Sequence, residues 1–385
     1  MRVIPIASGK GGVGKSLLAA NLAIALAKND RSVTLVDLDL GGSNLHLVLG
    51  ETMSYGGGGP AGIGSLIADS SCTVNDIGRP TEYEGLTFIA GDGETPGLAN
   101  LQSSAKRRII RQLGQADSDY MILDLGAGTS FNTLDFFLMT SQGLVVTTPT
   151  PTSTVNAYLF LKNAVFRIMQ NAMPRKSPGG QLLESLRSEP TGMRGTYIPR
   201  LLDELEKADP DNHARCLEHL SRFRPRLVMN MLEDPKDSEK AGKLRRSCRQ
   251  YLGLELNHLG IMYRDDLQDV ALSSRLPIIH YKPQSVLSQA VYRIADKLIS
   301  TETDDTENFE PAGAEESYQE ASMEADSDFA ARTDYVEDLL HTGALSTGDL
   351  IETVKMQQIE LNQMRKENNL LKAKLVRAIK QGYTL

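Results

Sequence analysis

Nine residues near the start, SGKGGVGKS at 8–16, limit what this 385-residue chain can fold into more than any other stretch. Gly9, Gly14, Lys15 and Ser16 fit G-x-x-x-x-G-K-[ST], which ordinary glycine usage produces by chance in roughly one chain of this size in a hundred. The apolar, β-branched VIPIAS precedes the loop, and SLLAANLAIALAK, with apolar residues at helical spacing, follows it. Strand, glycine loop and helix in that order aim successive backbone N–H groups and a helix N-terminus at phosphates. In this reading Gly11, Gly12, Val13 and Gly14 curl around the phosphates, Lys15 reaches the β and γ phosphates, Ser16 ligates Mg²⁺ and Leu17 completes the nucleotide-binding stretch. The expected cofactors are ATP and Mg²⁺.

Further short apolar runs end in small or polar residues: SVTLVDLDL (32–40), YMILDLG (120–126), GLVVTTPT (143–150), RLVMNML (226–232) and LGIMYRDD (259–266). Separated by helical segments, they predict parallel strands buried on both faces, hence a doubly wound, mostly parallel α/β sheet over residues 1–298 with its chemistry at the carboxyl ends of the strands. Asp124 ends one such strand, where a carboxylate can hold Mg²⁺ through water. Asp37 and Asp39 alternate on VDLDL and face one side of the strand end. Asp39 is assigned to orienting the attacking water and Asp37 to the magnesium shell, with a capping role for one of them equally open. Lys10 cannot easily curl back onto phosphates wrapped by its own loop. It can reach the nucleotide of a facing copy, supplying transition-state charge in trans, and an exposed loop lysine is the plain alternative.

Two segments interrupt the pattern: GGGGPAGIG (56–64), read as a flexible loop, and a polar helical insertion at about 173–225. The net charge of -8 is concentrated, because residues 301–338 hold 14 Asp or Glu against Arg332 alone, so the rest carries about +5. Residues 299–340 are therefore expected to be an acidic disordered linker. Over 347–381, Val354, Leu361, Asn368 and Leu375 fit heptad position a, and Leu350, Gln357, Met364, Leu371 and Ala378 fit position d. A parallel coiled coil and a single amphipathic helix both fit this C-terminal helix. Its last turns also suit a basic amphipathic helix on an anionic membrane surface. The most apolar run, LLAANLAIALA, is about half the roughly 20 residues a bilayer span needs. Cys72, Cys216 and Cys248 lie far apart without a CxxC pair, which fits a reducing cytoplasm and argues against an Fe-S or zinc scaffold.

The chain resembles the MinD/ParA family of deviant Walker A P-loop NTPases, and within it the MinD-like flagellar-number regulators FlhG/FleN, over about residues 2–298. The resemblance rests on SGKGGVGKS, VDLDLGGSNLHLVLG, LDLGAGTS, TTPTPTSTVNAY and LPIIHYKPQSVLSQAVYRIADKL. It implies that Lys10 is the signature lysine contacting nucleotide across an ATP sandwich dimer, that Asp39 is the switch I aspartate required for hydrolysis and that Asp124 is the switch II aspartate. Asn44 falls in the switch I tail, and Asn230 matches the asparagine that reads the adenine edge. Three departures stand out. The chain starts at its first strand without the DQAxxLR-type motif, Thr150 stands where relatives commonly have Glu, and a linker and helix replace the short MinD membrane tail.

The expected function is a slow, partner-stimulated ATPase switch that forms a homodimer with ATP and regulates the position or number of a cellular structure. The alternatives are an ATP-dependent maturation or carrier protein of the same superfamily and a nucleotide-binding coiled-coil adaptor. A protein partner is expected through the C-terminal coil. The location is expected to be cytoplasmic, with peripheral contact on the inner face of the cell membrane left open. Nucleic acid is disfavoured, since KLRRSCRQ (243–250) reads more simply as a solvated helix face.

Overall fold

The computed structural model describes residues 1–40, 42–51, 62–91, 101–188, 196–301 and 311–341, with scattered positions between 348 and 366. Eight strands form one sheet: β1 (Arg2–Ala7), β2 (Val33–Leu38), β3 (Arg79–Pro80), β4 (Leu86–Ile89), β5 (Tyr120–Leu125), β6 (Leu144–Thr147), β7 (Arg226–Leu232) and β8 (Asn257–Tyr263). Their order is β3-β4-β2-β5-β1-β6-β7-β8, parallel except for the β3–β4 pair. Strands buried on both faces need covering layers. The helices supply them: α1 (Lys15–Ala27), α2 (Leu45–Leu49), α3 (Ser65–Ala68), α4 (Val74–Ile77), α5 (Ser103–Leu113), α6 (Phe131–Phe137) and α7 (Pro151–Ala172). Then come α8 (Pro178–Ser188), α9 (Ile198–Ala208), α10 (Pro210–Arg222), α11 (Glu239–Leu252), α12 (Leu267–Ser273), α13 (Ile278–Tyr281), α14 (Val286–Ser300) and α15 (Pro311–His341).

Two apolar clusters sandwich the sheet. One gathers α1 and α14 with Ile4, Ile6, Leu35 and Ile122; the other gathers α5, α6 and α7 with Val36, Leu123 and Leu227. Alternate residues of one strand thus serve opposite layers, which is the doubly wound arrangement the apolar runs predict. The strand order reverses at β1, where β5 lies on one side and β6 on the other, and ligands bind outside the carboxyl ends of strands at such a switch point.

Residues 1–328 form one compact unit, and 329–385 a second. The acidic stretch departs from its composition. Residues 302–310 lie outside the described residues, but from Pro311 the chain is helix, and the first part of α15 buries Ala321 and Ala325 within the first unit. The expectation of disorder to residue 340 is thereby corrected: Tyr318, Ala321, Ala325 and Asp328, spaced three and four apart, make a helical stripe that finds a partner surface. Helices α8 to α10 occupy the stretch from 178 to 222. Residues 56–61 of the glycine loop at 56–64 fall outside the described residues, as does most of the heptad segment 347–381. Among the described residues no helix is long and apolar enough to cross a membrane.

Candidate nucleotide site

The loop between β1 and α1 is shaped by its glycines. Gly12 and Gly14 hold φ of 76° and 85°, which side chains with a Cβ rarely adopt, and a Cβ built on Gly11 or Gly12 meets nothing within 4 Å. Gly14 is the N-cap of α1 and offers no side-chain cap, so the first N–H groups of the helix are left for a ligand. At its entrance the loop is pressed onto α7: a Cβ at Gly9 would lie 2.1 Å from the Asn156 carbonyl oxygen. Lys10 is exposed, and its carbonyl accepts from Ser8 Oγ at 2.9 Å.

Lys15 is buried, and its Nζ donates to Asp124 Oδ1 at 2.5 Å and to Ser16 Oγ at 3.5 Å. Asp124, at the end of β5, is itself buried. Burial lifts its carboxyl above the usual range, and the opposing pull of Lys15 does not cancel that. Asp37 is its register partner on β2, and burial and then the Asp124 charge push the Asp37 carboxyl up to about 6.

The loop after β2 answers to Asp37. Its Oδ2 accepts from Ser43 Oγ at 2.7 Å and Leu45 N at 3.3 Å, and its Oδ1 from Asp39 N at 3.0 Å. In this conformation both oxygens serve the loop, which is the capping role left open beside the magnesium shell. Asp39 itself rests against the turn that follows β5, since a Cβ on Gly126 would stand 3.2 Å from its Oδ1. Gly128 N donates to Ser8 O at 3.0 Å, so the same turn is tied to the glycine loop. The ends of β1, β2 and β5 therefore bring Lys15, Ser16, Asp37, Asp39 and Asp124 together. Asn44 precedes α2, and its Nδ2 donates to Gly42 O at 2.9 Å.

Asn230 approaches from β7. Its Nδ2 donates to Val13 O at 2.9 Å and its Oδ1 accepts from Met231 N at 2.8 Å, so the amide holds the glycine loop with one end and its own turn with the other. Met231 takes the left-handed region, φ 58°, to allow it. Leu17 sits in the first turn of α1, and Thr150 caps α7 by accepting from Ser153 N at 3.4 Å.

Sequence reading passed over two groups. Ser43 caps Asp37, and the only local signal was a hydroxyl between a loop and a short helix. Asp135 on α6 anchors the helix that follows the Gly126 turn: it is bidentate to Arg167 of α7 at 2.6 and 2.9 Å and paired with Lys106 of α5. Its partners are about thirty residues away in the sequence, and no local pattern announces them. Arg167 and Arg187 also stack on the ring of Phe131, 4.9 and 5.3 Å from its centroid.

A groove of about 800 Å³ between α7 and α11 is lined by Pro151, Val155, Leu159, Tyr251, Lys240 and Lys243.

A glycine loop at the switch point of a doubly wound sheet, with a buried lysine and strand-end aspartates, defines a P-loop nucleotide-binding protein. Residues 1–167 match the family model ParA, described as NUBPL iron-transfer P-loop NTPase, and over this stretch the chain is similar to the MinD/ParA P-loop NTPases. Antiactivator FleN of Pseudomonas aeruginosa is 27% identical over 195 residues, 48% of this chain and 67% of FleN. Flagellum site-determining protein YlxH of Helicobacter pylori is 32% identical over 167 residues, 42% of this chain and 53% of YlxH. The chain thus spans between half and two thirds of these relatives. In fold it is similar to septum site-determining protein MinD of Pyrococcus horikoshii, complexed with Mg-ADP, with a TM-score of 0.52 and 19% identity over 77% of this chain and 95% of that one.

Proposed function

We propose that the chain binds ATP with Mg²⁺, closes as a homodimer around two nucleotides, and by hydrolysing them regulates the position or number of a cellular structure. The observation that carries this reading is the buried Lys15–Asp124 pair at the mouth of the glycine loop. A lysine and a carboxylate that neutralise each other there have an evident use once apart: Lys15 turns to the β and γ phosphates, and Asp124 with Ser16 is left to hold the cation. Mg²⁺ held there offsets phosphate charge as the terminal phosphoryl group departs. Asp37 holds the loop that presents Asp39, and Asp39, against Gly126, orients the attacking water. Lys10, exposed at the loop, serves the facing copy. Asn230 positions the glycine loop, and an adenine edge can engage it only if its amide turns or shares these bonds.

The location that fits this reading is cytoplasmic, with the C-terminal helix as the arm for a protein partner or for an anionic membrane surface. The carrier alternative gains nothing from the thiols: Cys216 and Cys248 are buried and burial pushes them up to about 11 and about 12, whereas a cluster ligand needs a thiolate. The test is Asp39→Ala. It should keep ATP binding, lose phosphate release and accumulate as a dimer in ATP, read by light scattering. A variant that binds ATP yet stays monomeric would sink the dimer, and wild-type protein that binds no ATP would sink the whole reading.

A further inference from the structure

Strand β8 ends the sheet, and the first part of α15 lies along its outer side. Ser317 Oγ accepts the outward N–H of His258 at 3.2 Å, Tyr318 donates to Leu256 O at 3.0 Å, and Tyr263 donates to Ala325 O at 2.8 Å. Side chains here do the work of a ninth strand. The helix is acidic and its seat basic: Glu315 meets Arg245 of α11 at 2.5 Å, Glu324 meets Lys297 of α14 at 2.7 Å, and Asp328 meets Arg293 of α14 at 2.5 Å.

The seat is also poorly satisfied. Five of its residues bury six side-chain polar atoms without a hydrogen-bond partner: Nε of Arg245 and Arg293, Oε2 of Glu255, Oδ1 of Asn257 and both ring nitrogens of His258. Arg245 Nε and Glu255 Oε2 still face each other as an ion pair at 3.8 Å, and each of the other four that water reaches when the helix lifts weakens the docked state. The apolar part of this interface is small, Ala321 and Ala325 with Tyr318, so screenable ion pairs and unserved polar groups weigh heavily in whether it holds.

We propose that the first part of α15 is a releasable cover on the β8 edge of the sheet, held by charge at neutral pH and low salt and let go when His258 gains a proton or the ion pairs are screened. The ring of His258 lies edge-on to Tyr318 at 5.1 Å. Of the charged groups of the seat, Lys297 on α14 acts on the ring; the others are Arg293 on α14, Arg245 on α11 and Glu255 before β8, with Glu315, Glu320, Glu324 and Asp328 on α15. Burial first, and then Lys297, lower its basicity from 6.5 to about 3. The sign follows: with the docked state refusing the proton, docking is complete above about pH 6.5 and weakens as pH falls below it. Between about pH 7.5 and 5.5 the docking constant falls about tenfold.

The experiment is hydrogen exchange by mass spectrometry on the full chain, corrected for intrinsic rates, at about pH 7.5 and 5.5 and at low and high salt. Amides of 256–263 and 315–328 should lose protection together, by about tenfold at the lower pH, while β1 and β5 keep theirs. His258→Phe should abolish the pH response and retain the salt response. Should that variant fail to fold, Glu320→Lys with Glu324→Lys should bare the edge at neutral pH and low salt. Protection of the two segments equal to that of β1 and β5 under every condition overturns the proposal, as does an unchanged edge in the double variant.

Discussion

Lys15 has two possible partners and space for one at a time. In the structure its ammonium is spent on Asp124, so the residue that grips phosphate also keeps a buried carboxylate tolerable. Lys15→Met should therefore weaken the ligand-free protein as well as abolish nucleotide binding. Leaving a buried charge unpaired costs about 3 kcal/mol, read as a lower urea midpoint near neutral pH. Without Lys15 the Asp124 carboxyl rises further above its unfolded value, so the folded state binds a proton more readily than the unfolded one. The deficit should shrink as pH falls. Much at this scale was legible from the chain alone, since glycine spacing and strand-end aspartates are local patterns. The task of Asn230 was not, because its partner, the Val13 carbonyl, is 217 positions away in the sequence.

Among elements, α6 transmits what happens at the turn before it. Asp135 fastens it to α5 and α7, and Phe131 is clasped by arginines from α7 and α8. Arg167→Ala removes the bidentate bond and one ring contact while Lys106 keeps Asp135 paired. The expected loss is about 2 kcal/mol in denaturant stability, with a phosphate-release rate that falls further than ATP affinity because the turn at Gly126 loses its fixed base. The strands were readable from their apolar runs. Helix α15 was not, because composition averages over faces: 14 acids among residues 301–338 argue for disorder, whereas the Tyr318, Ala321, Ala325 and Asp328 stripe argues for packing, and only the stripe knows of the seat.

For the whole molecule, the proposed switch requires two copies. Lys10 is exposed and held only through its backbone, so Lys10→Ala should leave fold, melting temperature and ATP affinity of the monomer unchanged. Phosphate release should fall by at least about a hundredfold if the side chain stabilises transferred charge in the facing copy. Mixing this variant with Asp39→Ala protein supplies the check: heterodimers carry one complete composite site, and turnover that returns on mixing places the lysine in trans.

The contact at Gly9 sets a mechanical relation. With no room for a methyl group between the phosphate loop and the backbone at Asn156, the two move as one body. Asn156 lies near the start of a 22-residue helix, a rod of about 33 Å at 1.5 Å per residue. A tilt of a few degrees at the nucleotide end becomes an ångström or two at the far end, where α10 packs on the rod. The insertion is thus wired to the moving end of a lever, and a protein that grips it can sense the nucleotide without touching it.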